Sequence, residues 1–464
     1  MTAPAHSRSL VIGLDGVPHW LLRSLADDGV MPRTAALLPQ GTLRPLRAPV
    51  PEISSTSWAS FLTGADPGRH GVYGFIDTEP DSYRTYFPNV QDLAATPVWQ
   101  ATAAAGVPAL VLNVPGSYPA PPVHGAVVSG FVAPDFDRAV SPPRLREPLS
   151  ALGYQLDVEV GDAASDPAGF LDRAVEALRA RRRAFRMLLT EEPWALAICV
   201  FTETDRVHHF LWAQVVDPAA PLHGRIMDFY REVDEAVAEL VALAGDGGLA
   251  IVSDHGFGPA DTQFYLNAWL RRAGYLALPS GAASLTEIDE RTTAFALDPG
   301  RIHLNRRGRR PRGREIAPGT ADEIARRLLS LRRADDGSVT EGGPGRPLVA
   351  EVLHGDRHYA GPVADRAPDL VAMPAPGVQI RGAWSTDDLV VPGPFTGTHT
   401  RDDATFWCRG DRGRGGVDMR DVMPTVLAGL GIDPAPSMEG RDMRGVDTSA
   451  PVSAGTTRGI RDEH

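Results

Sequence analysis

Six side chains in this sequence have the types and spacing that metal chemistry requires. Asp205 and His209 stand four apart in TDRVHHFLW, directly after an apolar run. That spacing puts both on one face if a helix begins there. Asp254 and His255 adjoin in IVSDHGFG, His399 lies in FTGTHTRDD, and Asp15 closes VIGLDG. Singly, each has an ordinary explanation. A strand-end Asp caps a helix, and a lone His is hydrogen-bonded structure. Together they make three carboxylates and three imidazoles with no cysteine among them. That donor set suits zinc, with manganese and iron as poorer fits, and six ligands suffice for two divalent ions.

A two-metal site needs something to act with. In PEISSTSWASFLTGADPGRHGVYGF a Pro-led polar turn, 51–55, runs into a helical pattern over 57–62. Ser54 or a neighbouring hydroxyl then sits at a helix N-terminus. There the free N–H groups and the dipole favour a phosphate and a hydroxyl losing its proton. A plain Ser/Thr cap is the structural alternative.

These residues need strands to carry them. Short apolar runs recur at 10–14, 109–112, 126–129, 195–201 and 249–253, with helical patterns at 167–189 and 226–244 between them. The alternation predicts an α/β fold with a mostly parallel sheet covered by helices on both faces. Ligands in such sheets bind at the carboxyl ends of the strands, where Asp15, Asp205, Asp254 and His255 fall. From 281 to 394 Gly, Pro and Arg rise and apolar runs shorten, which predicts an inserted, cap-like subdomain in one catalytic domain, 8–446. Six arginines crowd 306–314 and four more stand at 179–183; both runs read as solvated faces, binding of an anionic substrate or partner being the alternative for the first. The sheet resumes near Thr405, a helix closes at 422–430, and the Ser/Thr/Gly-rich stretch 447–464 reads as a disordered tail. Cys199 and Cys408 lie in apolar runs and read as buried thiols.

Composition narrows the chemistry. The 46 Lys plus Arg residues of this 464-residue chain are all arginine, against 58 acidic residues, for a net charge of −12. Schiff-base and phosphate-loop lysines are therefore excluded. The acidic balance argues against nucleic acid as a partner. No run reaches the roughly 18 apolar residues of a membrane span, and no long apolar signal core opens the chain. The expected compartment is the cytoplasm; the sequence does not reveal an oligomeric state.

Six blocks in order — GLDG, SSTSWASFLTGADPGRHGV, TDRVHHFLW, SDHGFG, GTHTRDD and DVMPTVLAGLGI — resemble the alkaline phosphatase superfamily over about 10–442. They are closest to its type I phosphodiesterase/nucleotide pyrophosphatase branch. The resemblance implies a three-layer sandwich and two divalent metal ions. One ion would be held by Asp205, His209 and His399, the other by Asp15, Asp254, His255 and the nucleophile oxygen. It places the nucleophile nine positions before the Thr of the LTG motif. That Thr is Thr63, so the nucleophile falls on Ser54, with Ser55 and Thr56 as the adjacent choices. The implied activity is hydrolysis of a small phosphorylated or phosphonylated substrate through a phospho-serine. A phosphotransferase or phosphomutase, or a dedicated biosynthetic enzyme, is the alternative. His208 is read as supporting structure and His70 as no ligand. Two departures argue against nucleotide pyrophosphatase specificity. Phe75 stands where that branch has a phosphoryl-contacting Asn, and its DxxGH motif is replaced by Asp205-Arg206-Val207-His208-His209. A sulfatase is excluded, because the Cys/Ser-x-Pro-x-Arg sequence is absent.

Overall fold

The computed structural model describes residues 8–279, 281, 284–384 and 386–449. Five apolar runs form the parallel centre of a nine-stranded sheet: β1 (Ser9–Leu14), β3 (Ala109–Val114), β4 (Gly125–Ser129), β6 (Leu196–Phe201) and β7 (Gly248–Val252). With β2 (Gly41–Arg47), β5 (Val140–Ser141), β16 (Ala404–Arg409) and β17 (Val417–Asp418), the order across the sheet is β17-β2-β16-β7-β1-β6-β3-β4-β5. The edge strand β5, and β16 between β2 and β7, join antiparallel.

The central runs are apolar at nearly every position because both faces are covered. Along β1, Leu10, Ile12 and Leu14 enter one core with α2 (Pro167–Glu191), α3 (Glu203–Val216) and α4 (His223–Ala244). Val11 enters the opposite core with α1 (Ser54–Thr63) and α5 (Met419–Leu430). The result is three layers, as expected. Strand register then aligns the functional ends. Leu14 pairs with Phe201, and Gly13 with Val252, so Asp15, Thr202 and Asp254 stand at one level at the end of the sheet.

A second core is built around β9 (Ala294–Leu297), β10 (Arg301–Leu304), β11 (Val349–His354) and β12 (Leu370–Pro374), which form one sheet. It also includes Phe264, Leu266 and Trp269, which precede 281 in the chain. The long strand β8 (Gly256–Tyr265) spans the two bodies. Its first half pairs with β15 (Gly397–Thr400) and its second half with β13 (Gly377–Arg381) and β14 (Val390–Val391).

Two expectations change. Arg181 is no solvated residue: it is buried and paired with Glu203 at 2.7 Å, because α2 packs this position against α3. The 306–314 run is tied down rather than loose. Arg306 and Arg309 meet Asp369, and Arg312 and Arg314 donate to backbone carbonyls. The chain stays attached past 447, where Thr448 donates to the Arg414 and Gly416 carbonyls; residues 450–464 lie outside the described residues. Both cysteines are free and buried.

Candidate metal centre

Each candidate ligand is fixed by a local device. Asp15 ends β1, and the chain turns away at Gly16 with φ of +66°. A Cβ there would meet the Phe257 ring at 3.0 Å, so glycine is required twice over. Trp58 Nε1 donates to Asp15 Oδ2 at 3.1 Å, and Thr204 Oγ1 to the Asp15 carbonyl at 2.6 Å. The Gly16 N–H donates to Asp254 Oδ1 at 3.1 Å, tying the two carboxylates together. Ser54 is the first residue of α1, where Ile53 offers no side-chain cap. The positive end of this helix therefore opens at the Ser54 hydroxyl. Asp205 and His209 lie one turn apart in α3. His399 arrives from β15, whose pairing of Phe257 with His399 brings it to His255; the two rings stack at 3.6 Å.

The imidazoles show what the site is built to hold. His255 Nδ1 donates to the Gly256 carbonyl at 3.0 Å, and His399 Nδ1 to the Glu52 carbonyl at 2.9 Å. His209 Nδ1 faces the Gly397 carbonyl at 3.4 Å. A carbonyl only accepts, so each ring carries its proton on Nδ1 and turns the Nε2 lone pair inward. The Nε2 atoms of His209 and His399 are 3.0 Å apart. Asp205 Oδ1 lies 3.4 Å from the first and 3.5 Å from the second. Three electron-pair donors thus converge with no proton between them, an arrangement a cation resolves. Asp15, Asp205 and His255 form a second such group. Asp254 Oδ2 is 3.3 Å from His255 Nε2, and Ser54 Oγ is 3.1 Å from the same nitrogen. Asp15 Oδ1, Asp205 Oδ1 and Asp254 Oδ2 are buried without a hydrogen-bond partner. Unpaired buried carboxylate oxygens are costly, and here all three lie within 3.8 Å of His255 Nε2. The residues fit two divalent cations, with Asp205 placed to serve both.

The electrostatics agree. Burial, then Asp254 and Asp205, hold the Asp15 carboxyl well above its ordinary range. Burial lifts Asp254 to about 6. Burial lowers His209 to about 3 and His255 well below its usual value, so both are neutral. Burial would raise Asp205, but His209, His399 and Arg206 outweigh it and hold that carboxyl low. Burial opposes charge on His399, yet the adjacent Asp205 carboxylate outweighs it and leaves that imidazole raised.

All seven sequence-derived residues, Asp15, Ser54, Asp205, His209, Asp254, His255 and His399, meet here. His208 points away: it bonds the Gly16 carbonyl at 2.9 Å and the Tyr230 hydroxyl, steadying the turn after Asp15. His70 is buried outside the site, with Nε2 2.9 Å from Ser60 Oγ on α1. Ser55 and Thr56 are buried on α1, their hydroxyls without partners. Sequence reading passed over Trp58, Thr204, Phe131 and Arg206. Trp58 and Arg206 lay inside motifs already singled out; Phe131 had no local signal.

The recess opens into a cavity of about 340 Å³. Phe75, Phe131, Phe210, Phe395 and Met373 form much of its wall, and His209 and His399 also line it. The position that departs from the nucleotide pyrophosphatases, Phe75, faces this cavity and packs on Phe131 at 5.3 Å.

The family model described as type I phosphodiesterase/nucleotide pyrophosphatase matches residues 9–413. The chain belongs to this family. It is thereby a hydrolase of phosphoric ester bonds within the alkaline phosphatase superfamily. Solved structures of the same fold include phosphonoacetate hydrolase from Sinorhizobium meliloti 1021 in complex with phosphonoacetate. The TM-score is 0.60 at 16% identity, over 92% of this chain and 96% of that one. Human ectonucleotide pyrophosphatase/phosphodiesterase 5 matches with a TM-score of 0.55 at 15% identity, over 94% and 98%. The murine protein, as an inactive variant in complex with AMP, scores 0.53 at 15% identity, over 93% and 96%. At these identities the likeness is one of fold. A search of curated proteins finds no match. Among the described residues no helix is long and apolar enough to cross a membrane.

Proposed function

We propose that this family member hydrolyses a small phosphoric or phosphonic ester of an apolar alcohol by way of a phospho-Ser54 intermediate. The observation that carries the reading is the convergence of three unpartnered carboxylate oxygens and three inward Nε2 lone pairs on the Ser54 hydroxyl. Asp205, His209 and His399 would hold one divalent cation, and Asp15, Asp254, His255 and Ser54 the other, zinc being the best match to the donors. Bound there, the cations supply the positive charge that acidifies a hydroxyl and offsets charge on phosphoryl oxygens.

The chain's own residues do the remainder. The uncapped N-terminus of α1 favours the alkoxide form of Ser54 Oγ, which attacks phosphorus in line and displaces the alcohol. Trp58 and Thr204 hold Asp15, and the backbone carbonyls hold the three rings, so the site is formed before substrate arrives. The aromatic wall takes the alcohol; once the alcohol has left, water enters on that same side, attacks phosphorus opposite Ser54 Oγ and releases the serine and the free phosphate or phosphonate.

Ser54→Ala, Ser55→Ala and Thr56→Ala, each loaded with zinc, test the assignment. Ser54→Ala should keep its metal and lose at least about 10³-fold in kcat, while the other two stay active. Wild-type enzyme quenched during turnover should give a phosphorylated peptide containing Ser54. Full activity in Ser54→Ala would refute the nucleophile. A phosphorylated alcohol in place of free phosphate, when an acceptor is added, would make the enzyme a phosphotransferase.

A further inference from the structure

The recess beside Ser54 has one fixed cation among its described lining residues, Arg206. It stands one position after Asp205 and also borders the larger cavity. Its guanidinium is held on three sides. Nε donates to Asp157 Oδ1 at 2.9 Å and Nη2 to Asp157 Oδ2 at 2.8 Å, a two-point clamp. Nη1 donates to Asp205 Oδ2 at 3.2 Å. The Phe131 ring covers one face, 4.4 Å from the guanidinium carbon. Asp157 is itself oriented by the Val158 N–H at 2.8 Å.

A guanidinium has five N–H donors. These bonds use three and leave one on each terminal nitrogen. Neutralising Asp205 would need neither the Asp157 clamp nor the ring, because a mobile side chain satisfies one carboxylate. What the clamp adds is fixed orientation, which matters when a third group must be met at a set place. That group has to be anionic and has to fit beside Ser54 Oγ. The other described walls are carboxylates, imidazoles and the apolar Phe75, Phe131 and Pro115, with Thr202 as the one neutral donor besides Ser54. In a chain with no lysine, no other side chain there carries a permanent positive charge.

We propose that Arg206 is a substrate-binding residue that donates to a non-bridging oxygen of the phosphoryl group, with Asp157 and Phe131 as its positioning residues. The proposal rests on the hydrolase reading above in requiring that the phosphoryl group sit at Ser54.

The test uses full-length, zinc-loaded protein with inorganic phosphate as the probe, bound by calorimetry and as a competitive inhibitor. Wild type, Arg206→Gln, Arg206→Lys and Asp157→Asn are compared, with zinc content measured in each. Arg206→Gln should keep its zinc and bind phosphate at least about tenfold more weakly. Arg206→Lys, which keeps the charge but loses the fork, should lie between, and Asp157→Asn should weaken binding several-fold. In turnover, Arg206→Gln should lose more on nitrophenyl phosphate, a dianion, than on bis-nitrophenyl phosphate, a monoanion. Equal phosphate affinity in all four proteins would overturn the proposal. So would zinc loss in Arg206→Gln with unchanged phosphate affinity per loaded site, since Arg206 would then only support Asp205. If wild type binds phosphate through Arg206 yet hydrolyses no ester, the catalytic reading fails and the binding assignment stands.

Discussion

Acid should weaken this protein through a histidine that no metal touches. His70 is fully buried. Its Nδ1 accepts the Val72 N–H at 3.1 Å, so the ring proton sits on Nε2, which donates to Ser60 on α1. A second proton would put two N–H groups face to face at Nδ1 and leave a charge without a partner. Burial accordingly lowers the His70 pKa from 6.5 to about 3. The unfolded chain therefore binds more protons than the folded one between those values. Stability is complete above the unfolded pKa and declines as pH falls toward the folded one. Linkage puts the loss at about 2 kcal/mol by about pH 5 and about 5 kcal/mol at the acid limit. His70→Gln supplies an acceptor and a donor but does not titrate. The assay is urea unfolding of both proteins, at equal zinc content, from neutral pH down to about 5. The variant starts less stable, and the gap should close by about 2 kcal/mol, because groups shared by both proteins cancel. A gap constant to within about 0.5 kcal/mol would show that His70 is not held neutral by the fold.

Trp58→Phe keeps the ring packed but removes the donor to Asp15. Zinc affinity, measured by chelator competition, should fall about 10- to 100-fold, and an unchanged affinity would remove Trp58 from the site's support. Asp234 on α4 is buried and accepts from Arg33 N, Thr34 N and Thr34 Oγ1 at 2.7–2.8 Å, closing the start of the helix Pro32–Leu37. Asp234→Ala should cost roughly 3 kcal/mol or more; a loss under about 1 kcal/mol would refute that reading. The aromatic cavity predicts a kcat/KM for nitrophenyl phenylphosphonate at least about tenfold above that for the nitrophenyl ester of a nucleoside 5′-phosphate. The reverse order would mean that Phe75 and Phe131 stack a base.

The five central strands were legible because burial on both faces leaves them continuously apolar. The ligands were legible because Asp15, Asp205 and Asp254 interrupt or follow those runs. Direction was not: the run at 404–409 reads like the others, yet joins antiparallel, since a strand's local pattern does not encode its neighbour's sense. Arg181 and Arg206 show a second limit. An arginine's type suggests solvent, and only the packing of α2 on α3, or of Phe131 over the guanidinium, reveals burial or aim. His399 met His255 through strand pairing across more than 100 residues, which residue spacing alone cannot forecast.

The cavity draws its walls from residues far apart in the sequence. Val371, Met373 and Ile380 come from the segment 281–394, while His209 and Phe210 come from α3. Every residue assigned to chemistry lies outside 281–394. The segment 281–394 thus shapes part of the cavity without supplying any of the assigned chemistry, Phe75, Phe131, Phe210 and Phe395 forming the rest of the wall. Exchanging or randomising that segment would change which ester is accepted while leaving the ligand set untouched. In natural divergence, the same partition lets substrates turn over faster than the chemistry that processes them.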